Sequence, residues 1–124
     1  MLIWNEIDLI ECLEVLPEKD EDYETWHRFI VQKDGLTLVL TIEQYDGEIG
    51  FQLDRDGVQP SILELRLYQC PEVRYIKEQA GKRLDYLEFA TTSCGSSANY
   101  RFDDSLMQRG VRLMVKPHIS IQLF

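Results

Sequence analysis

The 124-residue chain lacks most of the signatures by which small enzymes and metalloproteins declare themselves. It contains no Cys-x-x-Cys pair, and its three cysteines, Cys12, Cys70 and Cys94, are odd in number and widely spaced. A disulfide framework or a zinc ribbon is therefore not expected. There are only two histidines, His27 and His118, with no third ligand nearby in sequence. Neither a Walker loop nor a dinucleotide fingerprint occurs, so no cofactor is expected. No apolar run approaches the roughly 18 residues of a membrane span. The opening MLIWNEIDLIECLEVLP has acids but no base, unlike a secretory signal with its basic start. These absences predict a cytoplasmic protein without a membrane attachment.

Basic charge is also scarce where the chain begins. Residues 1–24 hold nine acids (Glu6, Asp8, Glu11, Glu14, Glu18, Asp20, Glu21, Asp22 and Glu24) against Lys19 alone. The other hundred residues keep 13 of the 22 acids and 12 of the 13 bases, so nearly all of the net charge of −9 sits in the first fifth. Such a field repels nucleic acid and anionic lipid and attracts basic surfaces. Arg66 with Tyr68, and Arg74 with Tyr75, pair bases with aromatics as RNA-binding sheets do, but the overall field has the wrong sign.

What is present is alternation. Hydrophobic residues make up 44% and charged residues 28%, ordinary values for a globular chain, and the length fits one domain over 1–124. WHRFIVQ (26–32), LTLVLTI (36–42), EIGFQLD (48–54) and SILELRLY (61–68) each read as a strand with one dry face. Asp34-Gly35, Asp46-Gly47 and Asp56-Gly57 separate them, and Asp-Gly favours the type I′ turn with positive φ at both central residues. A four-stranded antiparallel meander follows. EVRYIKE (72–78) and LDYLEFA (84–90) predict a further hairpin. VRLMVKPHISIQLF (111–124) alternates throughout and reads as one long strand, at an edge or bulged at Pro117, which cannot donate to a ladder. Its long edge leaves a homodimer open.

Only residues 5–16 carry helical spacing, with Ile7, Ile10, Leu13 and Leu16 as the stripe, Leu9 widening it and Asn5 as N-cap; a strand is the rival reading. Residues 17–24 read as an exposed connection, and 104–109 as a short helix stopped by Gly110. The expected class is α+β and mostly antiparallel β. Two architectures fit: an N-terminal helix packed on a curved meander sheet of about seven strands, or a small β-barrel with one helix.

Three functional readings follow. The segment ATTSCGSSANYRFDD (90–104) gathers Cys94, Ser96, Asp103 and Asp104, and a Cys/Ser hydrolase would need His27 or His118 beside it. It lacks the Gly-x-Ser-x-Gly elbow, and such residues populate ordinary loops. An EF-hand is suggested by Asp20-x-Asp22-x-Glu24, but Thr25 and Val31 stand where glycine and glutamate belong. Asp54-x-Asp56-Gly57 has the glycine, with Gln52 and Leu63 at the other key positions, so no metal site is expected. A barrel would instead suit a small-molecule ligand.

The leading reading is a non-enzymatic module docking a basic protein partner through Glu11, Glu14, Glu18, Asp20, Glu21, Asp22, Tyr23, Glu24 and Trp26. Complementary charge selects partners and speeds encounter, and the two aromatics supply anchors. In size, acidity and want of a catalytic signature the chain resembles bacterial immunity proteins, which neutralise basic toxins. The likeness lies in charge and size and aligns no stretch.

Overall fold

A computed structural model describes residues 1–90 and 110–124. The element order is α1 (Glu6–Leu13), β1 (Glu18–Lys19), β2 (Trp26–Lys33), β3 (Leu36–Glu43), β4 (Glu48–Arg55), β5 (Leu63–Leu67), β6 (Val73–Gln79), β7 (Lys82–Ala90), β8 (Gly110–Met114) and β9 (Ser120–Leu123). Strands β1 to β5 form one antiparallel sheet in sequential order, and β6 to β9 form a second. The chain is α+β, as its alternation predicts.

Neither sheet closes on itself. The barrel alternative therefore does not hold, and the small-molecule reading loses the closed barrel on which it rested. Between β5 and β6 the chain leaves the first sheet: the Cys70 N–H bonds to the Gly47 carbonyl at 2.8 Å, and Val73 then pairs with Phe89 in the second. A parallel bridge from Ile3 to Glu72 ties the N-terminus to this crossing.

The dry faces meet in one core. Phe29, Leu38, Leu40, Ile42, Ile49 and Phe51 from the first sheet are buried against Leu87, Phe89, Val111 and Leu113 from the second. The alternation places these side chains on one face of each strand, since successive strand residues point opposite ways.

Four local expectations change. Asp34 and Gly35 both have positive φ (54° and 75°), as a type I′ turn requires, but at the other two Asp-Gly pairs only Gly47 (68°) and Gly57 (74°) do. Those connections are longer, reaching from Glu43 to Glu48 and from Arg55 to Leu63, so the two-residue constraint is relaxed. Ala80-Gly81, with φ of 53° and 78°, supplies the second two-residue turn of this kind.

The last segment is a hairpin rather than one strand. Val111 pairs with Leu123 and Leu113 with Ile121 around Pro117, whose missing N–H suits it to the turn. This shortens the edge that left self-pairing open.

The helix ends at Leu13, because Glu14 adopts the left-handed conformation (φ 60°) and returns its N–H to the Ile10 carbonyl at 2.8 Å. Its buried side is Leu9, Cys12 and Leu13, while Ile7 and Leu16 are 70% and 79% exposed. The three-residue spacing of the predicted stripe drifted off the buried face, and Leu16 lies beyond the last turn. Finally, residues 18–19 form β1 on the edge of the first sheet, in the stretch expected to be only a connection. With the split last strand, this raises the count from about seven to nine among the described residues.

The short helix expected at 104–109 lies outside the described residues. No described helix is long and apolar enough to cross a membrane.

Candidate functional site: an acidic turn and the outer face of the first sheet

The acidic segment is held in place by a network on its inner side. Trp4 Nε1 donates to Gln44 Oε1 at 3.3 Å, and Gln44 Nε2 donates to the Glu24 carbonyl at 2.6 Å. The Gln44 N–H reaches the Thr25 carbonyl, and the Tyr45 hydroxyl donates to the Tyr23 carbonyl at 3.3 Å. Asp20 Oδ1 accepts the Trp26 N–H at 3.1 Å. Partial burial works against the charge on Asp20, but hydrogen bonds from Trp26 and Thr25 hold its carboxyl below the ordinary value. The turn between β1 and β2 is thus fastened to the β3–β4 connection by its backbone, leaving Glu21, Asp22, Tyr23 and Glu24 exposed.

The nine residues expected to form the docking surface divide into two groups. Glu11 pairs with Lys77 at 3.1 Å and Glu14 with Lys116 at 3.0 Å, so the helix acids face bases of the second sheet and its hairpin. Glu18 approaches Arg28 at 3.9 Å, and Glu24 pairs with Lys19 at 3.1 Å. Lys19 also reaches Glu6 at 3.3 Å, and its hydrogen bonds to Glu24 and Glu6 raise its pKa. Glu21 and Asp22 are exposed and make no ion pair among the described residues. Tyr23 is 75% exposed, and Trp26 is half-buried with the Arg28 guanidinium 5.0 Å from its ring centre. Of the carboxylates expected to dock, those without an ion pair among the described residues are therefore Asp20, Glu21 and Asp22, all at the tip.

Beside this tip lies a groove of about 560 Å³ on the outer face of the first sheet. Register places Arg28, Thr41, Gly50 and Arg66 in one row across β2 to β5. Glu43 and Glu48 face each other across β3 and β4, and Gln52 faces Glu64 across β4 and β5. Arg66 pairs with Glu48, which lowers the Glu48 pKa and raises that of Arg66. Partial burial and the hydrogen-bonded Glu48 beside it raise the Glu43 pKa. Sequence reading missed this surface, although the glycine inside EIGFQLD was the available signal.

The histidines stay apart. His27 is 2% exposed, next to Phe29 and Val31 on the dry face as its spacing predicts, with the Trp4 ring edge-on at 4.7 Å. Its buried Nδ1 has no hydrogen-bond partner among the described residues. Burial lowers its pKa, with Glu6 the largest opposing charge. His118 is on the surface, its side chain 78% exposed, with Nδ1 3.0 Å from Asp34 Oδ2. Cys94, Ser96, Asp103 and Asp104 lie outside the described residues. Cys12 and Cys70 are buried thiols, pushed up by burial to about 12 and about 11 respectively, which disfavours the nucleophilic thiolate. Among the described residues no three His, Cys, Asp or Glu side chains converge on a metal position.

No protein-family model matches the sequence, and no curated protein matches it. The fold is similar to a chain of a solved contact-dependent growth inhibition toxin–immunity protein complex from Klebsiella pneumoniae 342. The TM-score is 0.71 at 14% identity, over 97% of this chain and 93% of the other. The two chains share a two-sheet architecture nearly end to end.

Proposed function

We propose that this protein is a non-enzymatic binding module of the immunity type, which docks a basic protein partner through its acidic N-terminal segment. The observation that carries the reading is the fold shared along nearly the whole chain with a member of a toxin–immunity protein complex. Of the two roles in such a pair, the acidic character of this chain, −9 overall, favours the one that caps a basic surface.

Within the segment, the tip dominates: Asp20, Glu21, Asp22, Tyr23 and Glu24, with Trp26 behind it. Glu18 extends it along β1. Glu11 and Glu14 contribute field from the helix while remaining paired to Lys77 and Lys116. The tip is tied down through backbone atoms, so little loop ordering remains to be lost on binding, and pre-organisation of this kind favours affinity.

The test uses the product of the adjacent gene as candidate partner, with association followed by stopped-flow at low and high salt. Replacing Asp20, Glu21, Asp22 and Glu24 by Ser should slow association at low salt by roughly ten-fold or more, with a smaller difference at high salt. An identical on-rate for the variant and the original chain at low salt would overturn the reading.

A further inference from the structure

The described glycines other than Gly50 have an internal reason to be glycine. Gly35, Gly47, Gly57 and Gly81 have positive φ, and a Cβ on Gly110 would sit 2.2 Å from the Phe89 carbonyl oxygen. Gly50 has none. It lies inside β4, as its third residue, its φ is not positive, and a Cβ there would meet only the Thr41 Cβ, at 3.8 Å. Glycine inside a strand weakens it, and one common use of such a residue is to let another molecule come close to the backbone. Gly50 is the floor of the groove on the outer face of the first sheet.

The groove's charges select the occupant. Arg66 is committed to Glu48, and Arg28 lies over the Trp26 ring toward Glu18. Glu43 leans on Glu48, a like charge, and Glu64 makes no ion pair among the described residues. These two carboxylates stand at diagonally opposite corners of Gly50, one on β3 and one on β5. Tyr68, 67% exposed, borders the same groove, and an aromatic ring there is a partner type that a guanidinium favours.

We propose that the groove over Gly50 is a socket for one arginine side chain of a protein partner, held by Glu43 and packed against Tyr68 at one end, with Glu64 adding negative field from the other. The protein nature of the occupant rests on the binding-module reading; the socket itself rests on Gly50 and the charges around it. Because Arg28 borders the groove and neighbours Glu18 on β1, the socket continues the surface that begins at the acidic tip.

The probe is the blocked peptide Ac-Gly-Arg-Gly-NH2, titrated into the full chain and followed in ¹H–¹⁵N correlation spectra, with Ac-Gly-Glu-Gly-NH2 as control. Saturable shifts at Gly50, Thr41 and Arg66 with the arginine peptide, and not with the glutamate peptide, are expected. Gly50→Val fills the floor without altering charge, and should abolish these shifts while its spectrum stays dispersed. Gly50→Ala is the milder variant and should weaken them. Glu43→Gln with Glu64→Gln should weaken binding by about five-fold.

Shifts confined to residues 20–24 would overturn the socket and leave the acidic-tip reading standing. Shifts confined to the groove would support the socket and count against the tip. Equal response to the glutamate peptide, undiminished binding by Gly50→Val, or no shift in either region would overturn the socket.

Discussion

Phe51 and Phe89 meet edge to face across the two sheets, their ring centres 4.9 Å apart and their planes at 84°. Both are almost wholly buried, one on β4 of the first sheet and the other on β7 of the second. An aromatic pair in this geometry contributes beyond the area it buries, because the positive edge of one ring meets the negative face of the other. Phe89→Ala should destabilise the fold by about 3–5 kcal/mol in urea titrations. With Phe51→Leu as the second change, a double-mutant cycle should return a coupling of about 0.5–1.5 kcal/mol. Zero coupling would mean that the two sheets are held by burial alone.

His27 makes stability depend on pH. Burial holds its folded-state pKa below the ordinary value of 6.5, so the unfolded chain takes up a proton first as pH falls. The stabilisation is complete above 6.5 and is lost as pH drops through the unfolded value toward the lower folded one. Nearby Glu6, Glu24 and Asp20 reduce the effect. Urea melts between pH 8 and pH 5 should show the original chain losing more stability than His27→Phe, which cannot titrate. Parallel curves would place the pH dependence elsewhere.

The acids of the N-terminal segment should separate into two functional groups. Glu21→Ser with Asp22→Ser should slow association with a basic partner and leave thermal stability unchanged, since neither carboxylate has an ion-pair partner among the described residues. Glu11→Gln with Glu14→Gln should lower stability by no more than about 1 kcal/mol, because both pairs are largely solvated. Their effect on association should be the smaller one. The reverse ranking would move the docking surface onto the helix.

Glycine substitutions test the packing account of the turns. Gly50→Ala should stabilise by about 0.5–1 kcal/mol, the conformational entropy recovered from the unfolded chain with no internal clash. Gly47→Ala should destabilise by more than that, for two reasons: its φ is positive, and its Cβ would lie 2.8 Å from the Cys70 carbonyl oxygen. That same approach lets the Cys70 N–H bond to the Gly47 carbonyl where the chain passes between sheets. Chemical denaturation of the two variants gives the comparison directly.

The sequence by itself determined strands β2 to β7, their dry faces and the concentration of acid in the first 24 residues. A period of two is a local property, so Leu38, Leu40 and Ile42 could be assigned to the core without knowing what covered them. The N-cap at Asn5 was equally local, its Oδ1 accepting the Ile7 N–H at 2.9 Å. Only the tertiary structure decided whether the strands closed into a barrel, because the same alternation serves an open sheet and a closed one. It also folded the last fourteen residues at Pro117 and shortened the helix at Glu14, where the core offered Leu16 no cover. The groove over Gly50 belongs to this second class. Its charges come from β2, β3, β4 and β5, residues up to 38 positions apart in the chain, and only strand register brings Arg28 and Arg66 into one row.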